Sequence, residues 1–188
     1  KGRIQLFDLI NMYQQSKGRN PDEEFNKIQE RYSSCKKKDW PDQLKNEIGF
    51  NDEDNLKKVL LITSKNATMY INKTSMFAKT LGTLSAVSYI IGGADNSPRG
   101  ILIDKTTGEV AYANFRVTGM SQTVPFRLTR MMIAALGPYG VNGPFIVSLI
   151  KALKGIRKYS NALGTCVQFA LGNAPFDPPQ LPDQFLGR

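Results

Sequence analysis

The run from Lys73 to Ile91, small and apolar almost throughout, constrains this chain more than any other stretch. Leu81, Leu84, Val87, Ser88 and Ile91 recur at helical spacing, which predicts one long helix with those residues turned to a core. Gly82 and Ser85 lie beside that stripe and give a second helix room to approach closely. Nowhere does the chain reach the roughly 18 consecutive apolar residues of a membrane span, so the helix is read as a core element.

Two short strands, Ile101-Leu102-Ile103 and Glu109-Val110-Ala111-Tyr112, follow the long helix and are joined by Lys105-Thr106-Thr107-Gly108, whose glycine suits a hairpin turn. Further helices are expected over 127–136, 145–158 and 161–171, the first two separated by Gly137-Pro138-Tyr139-Gly140. Upstream, Ile4, Phe7, Ile10 and Met12-Tyr13 approximate a helical face that Gly18 stops. Asp22 to Tyr32 reads as a second helix, with Phe25, Ile28 and Tyr32 on its buried stripe. From about 36 to 58 the chain turns polar, an insert with Lys36-Lys37-Lys38 as a solvated loop and Trp40 as its anchor on the core. Residues 175–188 are Pro-rich and read as an extended linker or tail. The fold class is therefore α+β, mainly α, with one domain over 1–174.

With 188 residues the chain is long enough for a proper core. Cys35 and Cys166 stand far apart without ligand partners and read as free thiols of a reducing compartment, so no metal site is expected from them. Lys1-Gly2-Arg3-Ile4 has neither an initiator Met nor the apolar core of a signal peptide, and a fragment is expected. The net charge of +9 is uneven: residues 67–188 hold 12 Lys or Arg and 5 Asp or Glu, against 13 and 11 in residues 1–66. That excess permits an acidic protein surface as partner, with nucleic acid as the second class. Lys151, Lys154, Arg157 and Lys158 fall on one face of the expected helix over 145–158, with Ile150, Leu153 and Ile156 expected toward the core. They are the candidate partner-binding residues.

The chemistry-bearing stretch is Gly92-Gly93-Ala94-Asp95-Asn96-Ser97-Pro98-Arg99-Gly100, running into Ile101-Leu102-Ile103-Asp104, then Thr107-Gly108-Glu109-Val110-Ala111-Tyr112-Ala113-Asn114-Phe115-Arg116. With Val124-Pro125-Phe126-Arg127-Leu128-Thr129 behind it, this stretch resembles the catalytic and metal loops of the phosphatidylinositol-3-kinase-related protein kinases. Those loops run G-x-x-D-R-H-x-x-N, then T-G-x-V-I-H-I-D-F-G, then V-P-F-R-L-T. The resemblance covers roughly residues 4 to 178 and implies the C-terminal lobe of a kinase, with the long helix beneath the catalytic loop. No glycine-rich phosphate loop and no strand-borne lysine are found upstream, so the chain reads as that lobe alone.

What the resemblance implies chemically is a loss. The family's base is the His of D-R-H, and its metal ligands are the following Asn and the Asp of D-F-G. Ser97, Gly100 and Asn114 hold those three positions here. Serine has no titration near neutral pH, glycine has no side-chain oxygen, and asparagine lacks the charge a hard cation wants. Arg116 adds a cation where a metal would sit, and the chain has no His to recruit from elsewhere. Asp95 alone survives; it is expected to pair with Arg116 or to serve as a turn residue. The site is thus read as degenerate at Asp95, Ser97, Gly100, Asn114 and Arg116, with no cofactor and no metal.

Within the family, the run to Arg116, the Gly140-Val141-Asn142-Gly143-Pro144 step and the segment Leu6 to Gln15 resemble the transcription-associated, TRRAP-type branch. That likeness implies a nuclear scaffold in histone acetyltransferase co-activator complexes, with complex subunits and transcription activators as partners. A weakly active Ser/Thr kinase using Asp95 as base, and a basic nucleic-acid-binding module, are the alternatives.

Overall fold

The computed structural model of the chain describes residues 2–20, 54–91, 95–113 and 126–171, together with Glu23, Asn26 and Glu30; for Ile91 and 167–171 it describes the backbone alone. The expected long helix is present as the center of the molecule. Among the described residues the other elements assemble around it as a mainly helical fold with a small antiparallel sheet.

Strand β1 (Arg3–Gln5) leads into α1 (Leu6–Ser16), and α2 (Asn55–Ile62) precedes the long α3 (Ala67–Ile91). The hairpin of β2 (Ile101–Asp104) and β3 (Val110–Tyr112) follows. Helix α4 (Arg130–Ala135), a 3-10 turn at Gly140–Asn142, α5 (Pro144–Lys158) and α6 (Ser160–Leu171) complete the order. The sheet runs β1-β2-β3, with Ile4 opposite Ile103 and Ile103 opposite Val110. Among the described residues no helix is long and apolar enough to cross a membrane.

The core gathers Leu6, Leu9 and Tyr13 of α1, Leu56, Val59 and Leu60 of α2, and Phe77, Ala78 and Leu81 of α3 against Ile101, Ile103, Met132 and Phe145. On α3 the buried stripe is Phe77, Ala78, Leu81, Ser85 and Ser88, whereas the expected Leu84 and Val87 are half-buried. Stripe and neighbors differ because α5 crosses α3 at Gly82. A Cβ there would collide with the Phe145 carbonyl oxygen, so the axes approach along the glycine, and Leu84 packs at the margin of the core.

Several expected boundaries move, each for a local reason. Ile4 belongs to β1, not to the first helix, because its backbone pairs with Ile103; the buried face of α1 is Leu6, Leu9 and Tyr13, and Met12 is exposed. Gly18 does end α1, at φ 71°. Of the polar stretch expected over about 36–58, residues 55–58 lie in α2, where Leu56 is fully buried, and 36–53 lie outside the described residues. Helix α4 starts at Arg130 because the Thr129 hydroxyl accepts the Met132 amide and caps it; Arg127 and Leu128 stay outside the helix. Of the helix expected at 22–32, Glu23, Asn26 and Glu30 are helical and the remainder lies outside the described residues. Trp40, Cys35, Lys36-Lys37-Lys38 and the tail 175–188 also lie outside them.

Among the described residues one charged group is packed into this core. Lys73 on α3 is 1% exposed, and its ammonium donates to the Thr63 carbonyl at 2.7 Å and the Thr63 hydroxyl at 3.1 Å, closing the C-terminal end of α2. Burial holds its pKa below the ordinary 10.5, against a smaller upward pull from the Asp104 carboxylate. The unfolded chain therefore binds the proton more tightly, and the burial penalty is fully present below the folded pKa and is relieved as pH rises toward 10.5. Lys73→Met keeps the length and removes the charge. The stability difference between wild type and this variant should shift in favor of wild type between about pH 7 and about pH 10. Urea melts at the two pH values measure it; an unchanged difference would show that the amine is not desolvated.

Candidate functional site

The loop from Asp95 to Gly100 and the β2–β3 hairpin are fixed to one another and to α3. Gly108 sits at φ 77°, where only glycine is unstrained, and a Cβ there would press on the Lys73 carbonyl oxygen. Asp104 closes the same turn: its carboxylate accepts the Thr106 amide at 2.8 Å and the Thr107 amide at 3.0 Å. Those amides, Thr107 first, hold the Asp104 pKa below the ordinary carboxylate value. The Val110 amide reaches back to the Thr80 hydroxyl at 3.0 Å, so α3 carries the hairpin.

At the hairpin's other end, the Ala113 amide donates to the Gly100 carbonyl at 2.8 Å, which fixes the loop 95–100 to the end of β3. Asp95, Ser97 and Gly100 form a single self-closed turn. The Asp95 carboxylate accepts the Ser97 amide at 3.0 Å, and the Gly100 amide is shared by the Ser97 carbonyl and the Ser97 hydroxyl, both at 3.0 Å. Gly100 is buried, and the space its side chain would occupy is filled by the carboxyl group and the carbonyl oxygen of Asp95. The carboxylate is spent on the local turn and on that packing.

The loop is held from two further sides. The Phe7 amide of α1 donates to the Pro98 carbonyl at 3.0 Å, and the Arg99 guanidinium lies 4.2 Å from the center of the Phe7 ring. Asn96, at the Arg position of D-R-H, accepts the Tyr112 hydroxyl through its side chain at 3.4 Å and the Arg127 guanidinium through its carbonyl at 3.4 Å. Burial raises the Tyr112 pKa, and a hydrogen bond with Ser88 opposes that rise. Neutral at ordinary pH, the phenol acts here as a strut between strand and loop.

Asp95, Ser97 and Gly100 are thus brought together, while Asn114 and Arg116 lie outside the described residues, as does the expected Arg116–Asp95 pair. Lys151, Lys154, Arg157 and Lys158 are exposed on α5, and Ile150, expected toward the core, is exposed with them. The correction has a simple cause: α5 turns Phe145, Ile146 and Leu149 to the core, and Ile150 follows Leu149 by a further 100° or so of helix rotation. The network of Asn96, Tyr112 and Arg127 is the part that sequence reading missed. Its signal was available, because Tyr112 stands at the family's metal-loop His.

Comparison with known proteins agrees with this geometry. Residues 4–175 match the family model described as phosphatidylinositol 3- and 4-kinase. The chain is 31% identical over 144 residues to the serine/threonine-protein kinase SMG1 of Danio rerio, covering 70% of this chain and 4% of that protein. It is 28% identical over 116 residues to the serine/threonine-protein kinase TOR2 of Saccharomyces cerevisiae, covering 57% of this chain and 5% of that one. The chain therefore spans only about a twentieth of such relatives. Among solved structures it is similar to the FAT and kinase domain of CtTel1, with a TM-score of 0.53, 23% identity, and coverage of 58% of this chain and 8% of that one; this likeness shows the fold.

Proposed function

This chain belongs to the phosphatidylinositol 3- and 4-kinase family, and from that premise we propose that it is a pseudokinase lobe, a scaffold that transfers no phosphate. The observation that carries the reading is Gly100, whose side-chain space is taken by Asp95. Phosphoryl transfer is positioning plus neutralization of moving charge, so a site without its base and metal ligands has little left to offer. Ser97, Gly100 and Asn114 replace those groups in sequence, and the remaining carboxylate is engaged in its own turn.

The finer reading places the lobe in a TRRAP-type subunit of nuclear histone acetyltransferase co-activator complexes, recruited by transcription activators. It rests on the likeness of the metal-loop run through Arg116 and of Gly140 to Pro144 to that branch. Purification of the tagged full-length protein should then bring down histone acetyltransferase activity from nuclear extract. A second reading, a weakly active Ser/Thr kinase with Asp95 as base, is favored by the names of the relatives, which are Ser/Thr kinases.

Magnesium-ATP separates the two. The full-length protein should show no magnesium-dependent shift in melting with ATP. A stabilization of about 2.7 kcal/mol, expected for a specific ligand at a hundredfold excess over its dissociation constant, would overturn the pseudokinase reading. A basic nucleic-acid module would instead reveal itself by a steep salt dependence of DNA or RNA binding.

A further inference from the structure

Helix α5 carries two faces, and among the described residues only one is packed against the rest of the fold. Phe145 is buried, and Ile146 and Leu149 pack on the core across from α3. On the other side, Val147, Ile150, Lys151, Lys154, Arg157 and Lys158 fall within about 120° of arc at the usual helical rotation. Val147 is 49% exposed and Ile150 is 44% exposed, and the four cations are exposed too. Scattered aliphatic residues on a surface need no explanation. Here two stand one turn apart, with Lys151 and Lys154 following Ile150 at the next position and the next turn.

Among the described residues the charge has no acidic neighbor. Helices α3, α5 and α6 and the 3-10 turn, the elements packed around α5, contain no Asp or Glu. Indeed the chain has no acidic residue between Glu109 and Asp177. Among the described residues none of the four cations forms an ion pair; Lys158 lies over the Tyr159 ring at 5.2 Å. Arg157 and Lys158 are in the last turn, where cations complement the helix dipole, but Lys151 and Lys154 are mid-helix and gain little from it.

We propose that this face docks an acidic amphipathic helix of a partner protein. Spacings of three and four residues, from Val147 through Ile150, Lys151 and Lys154 to Lys158, form the ridge that packs into the groove of another helix. Aliphatic positions in the first half and cations in the second call for a partner with apolar residues flanked by carboxylates. Nucleic acid would have no use for the aliphatic pair. A lipid surface would need a larger apolar face than two side chains on a helix already committed to α3.

The test uses the full chain and a fluorescent synthetic helix with a leucine stripe flanked by glutamates, at physiological salt. Lys154→Glu with Arg157→Glu should weaken binding about tenfold, and a probe with lysines in place of glutamates should recover it on this variant. Val147→Gln with Ile150→Gln should weaken the original probe about threefold while every cation remains. The aliphatic pair should leave the melting temperature nearly unchanged, since Val147 and Ile150 are exposed, and the charge pair should lower it only slightly, by inverting the charge at Arg157 beside the helix dipole. The proposal fails if the aliphatic pair has no effect, or if a scrambled probe of equal charge binds as well. It also fails if a DNA duplex, or vesicles of equimolar phosphatidylserine and phosphatidylcholine, bind more tightly than the helix.

Discussion

Gly82→Val should cost about 3 kcal/mol of stability, the upper range for forcing extra carbon into a packed interior. For a domain of this size that is a fall of roughly 6–12 °C in melting temperature. The reason is that the neighbor is backbone: a Cβ at Gly82 meets the Phe145 carbonyl oxygen and carbon and the Leu149 amide nitrogen, none of which can swing aside. Helices α3 and α5 must separate, and Phe77, Leu81 and Phe145 lose contact together. Helix propensity alone points the other way, since replacing an interior glycine favors a helix by up to about 1 kcal/mol for alanine. Gly155→Ala on α5, with nothing near its added carbon, isolates that term and should stabilize. If Gly82→Ala melts as high as Gly155→Ala, close approach is not what Gly82 provides.

The second large effect concerns an attempted repair. Gly100→Asn restores the residue type that holds magnesium in active relatives, and it should destabilize the chain by about 1–3 kcal/mol instead of adding a metal site. Its Cβ would collide with the Asp95 carboxyl group and carbonyl oxygen, opening the turn that the Ser97 and Gly100 amides close. Adding Asp95→Ala should recover part of the loss, because the carboxyl leaves and the carbonyl remains. Thermal melts with and without magnesium read both quantities. A Gly100→Asn protein as stable as wild type and further stabilized by magnesium would mean that the loop can reopen at little cost.

Much of the frame was legible because it rests on local rules. The long helix shows in its small apolar run, the hairpin in Gly108, and the end of α1 in Gly18, each a consequence of neighbors in sequence. Gly82 was legible for the same reason, as a small residue beside a core stripe. The rest depended on distant partners. Ile4 carries an apolar side chain at helical spacing from Phe7, and nothing nearby reveals that Ile103 will claim its backbone. Ile150 satisfies the same helical spacing as Leu153, and only the direction from which α3 arrives decides which faces out. The substitutions at Ser97 and Gly100 could be read directly, but the use of Asp95 to fill the vacancy depends on loop conformation.

Strand β1 has a consequence for the order of assembly. The hairpin closes within a few residues, whereas Ile4 must find Ile103 across roughly a hundred residues of chain, and the entropy of closing so long a loop must be met before the strand returns any bonding. A three-residue strand cannot meet it alone; it needs α1, whose Leu6 and Leu9 reach the same core. The sheet's third strand should therefore be a late addition, laid onto a hairpin that α3 holds through Thr80. Because Pro98 accepts its hydrogen bond from Phe7, the loop 95–100 should gain that one hold only when the two ends of the fold have met, while its ties to Ala113 and Tyr112 need no contribution from α1.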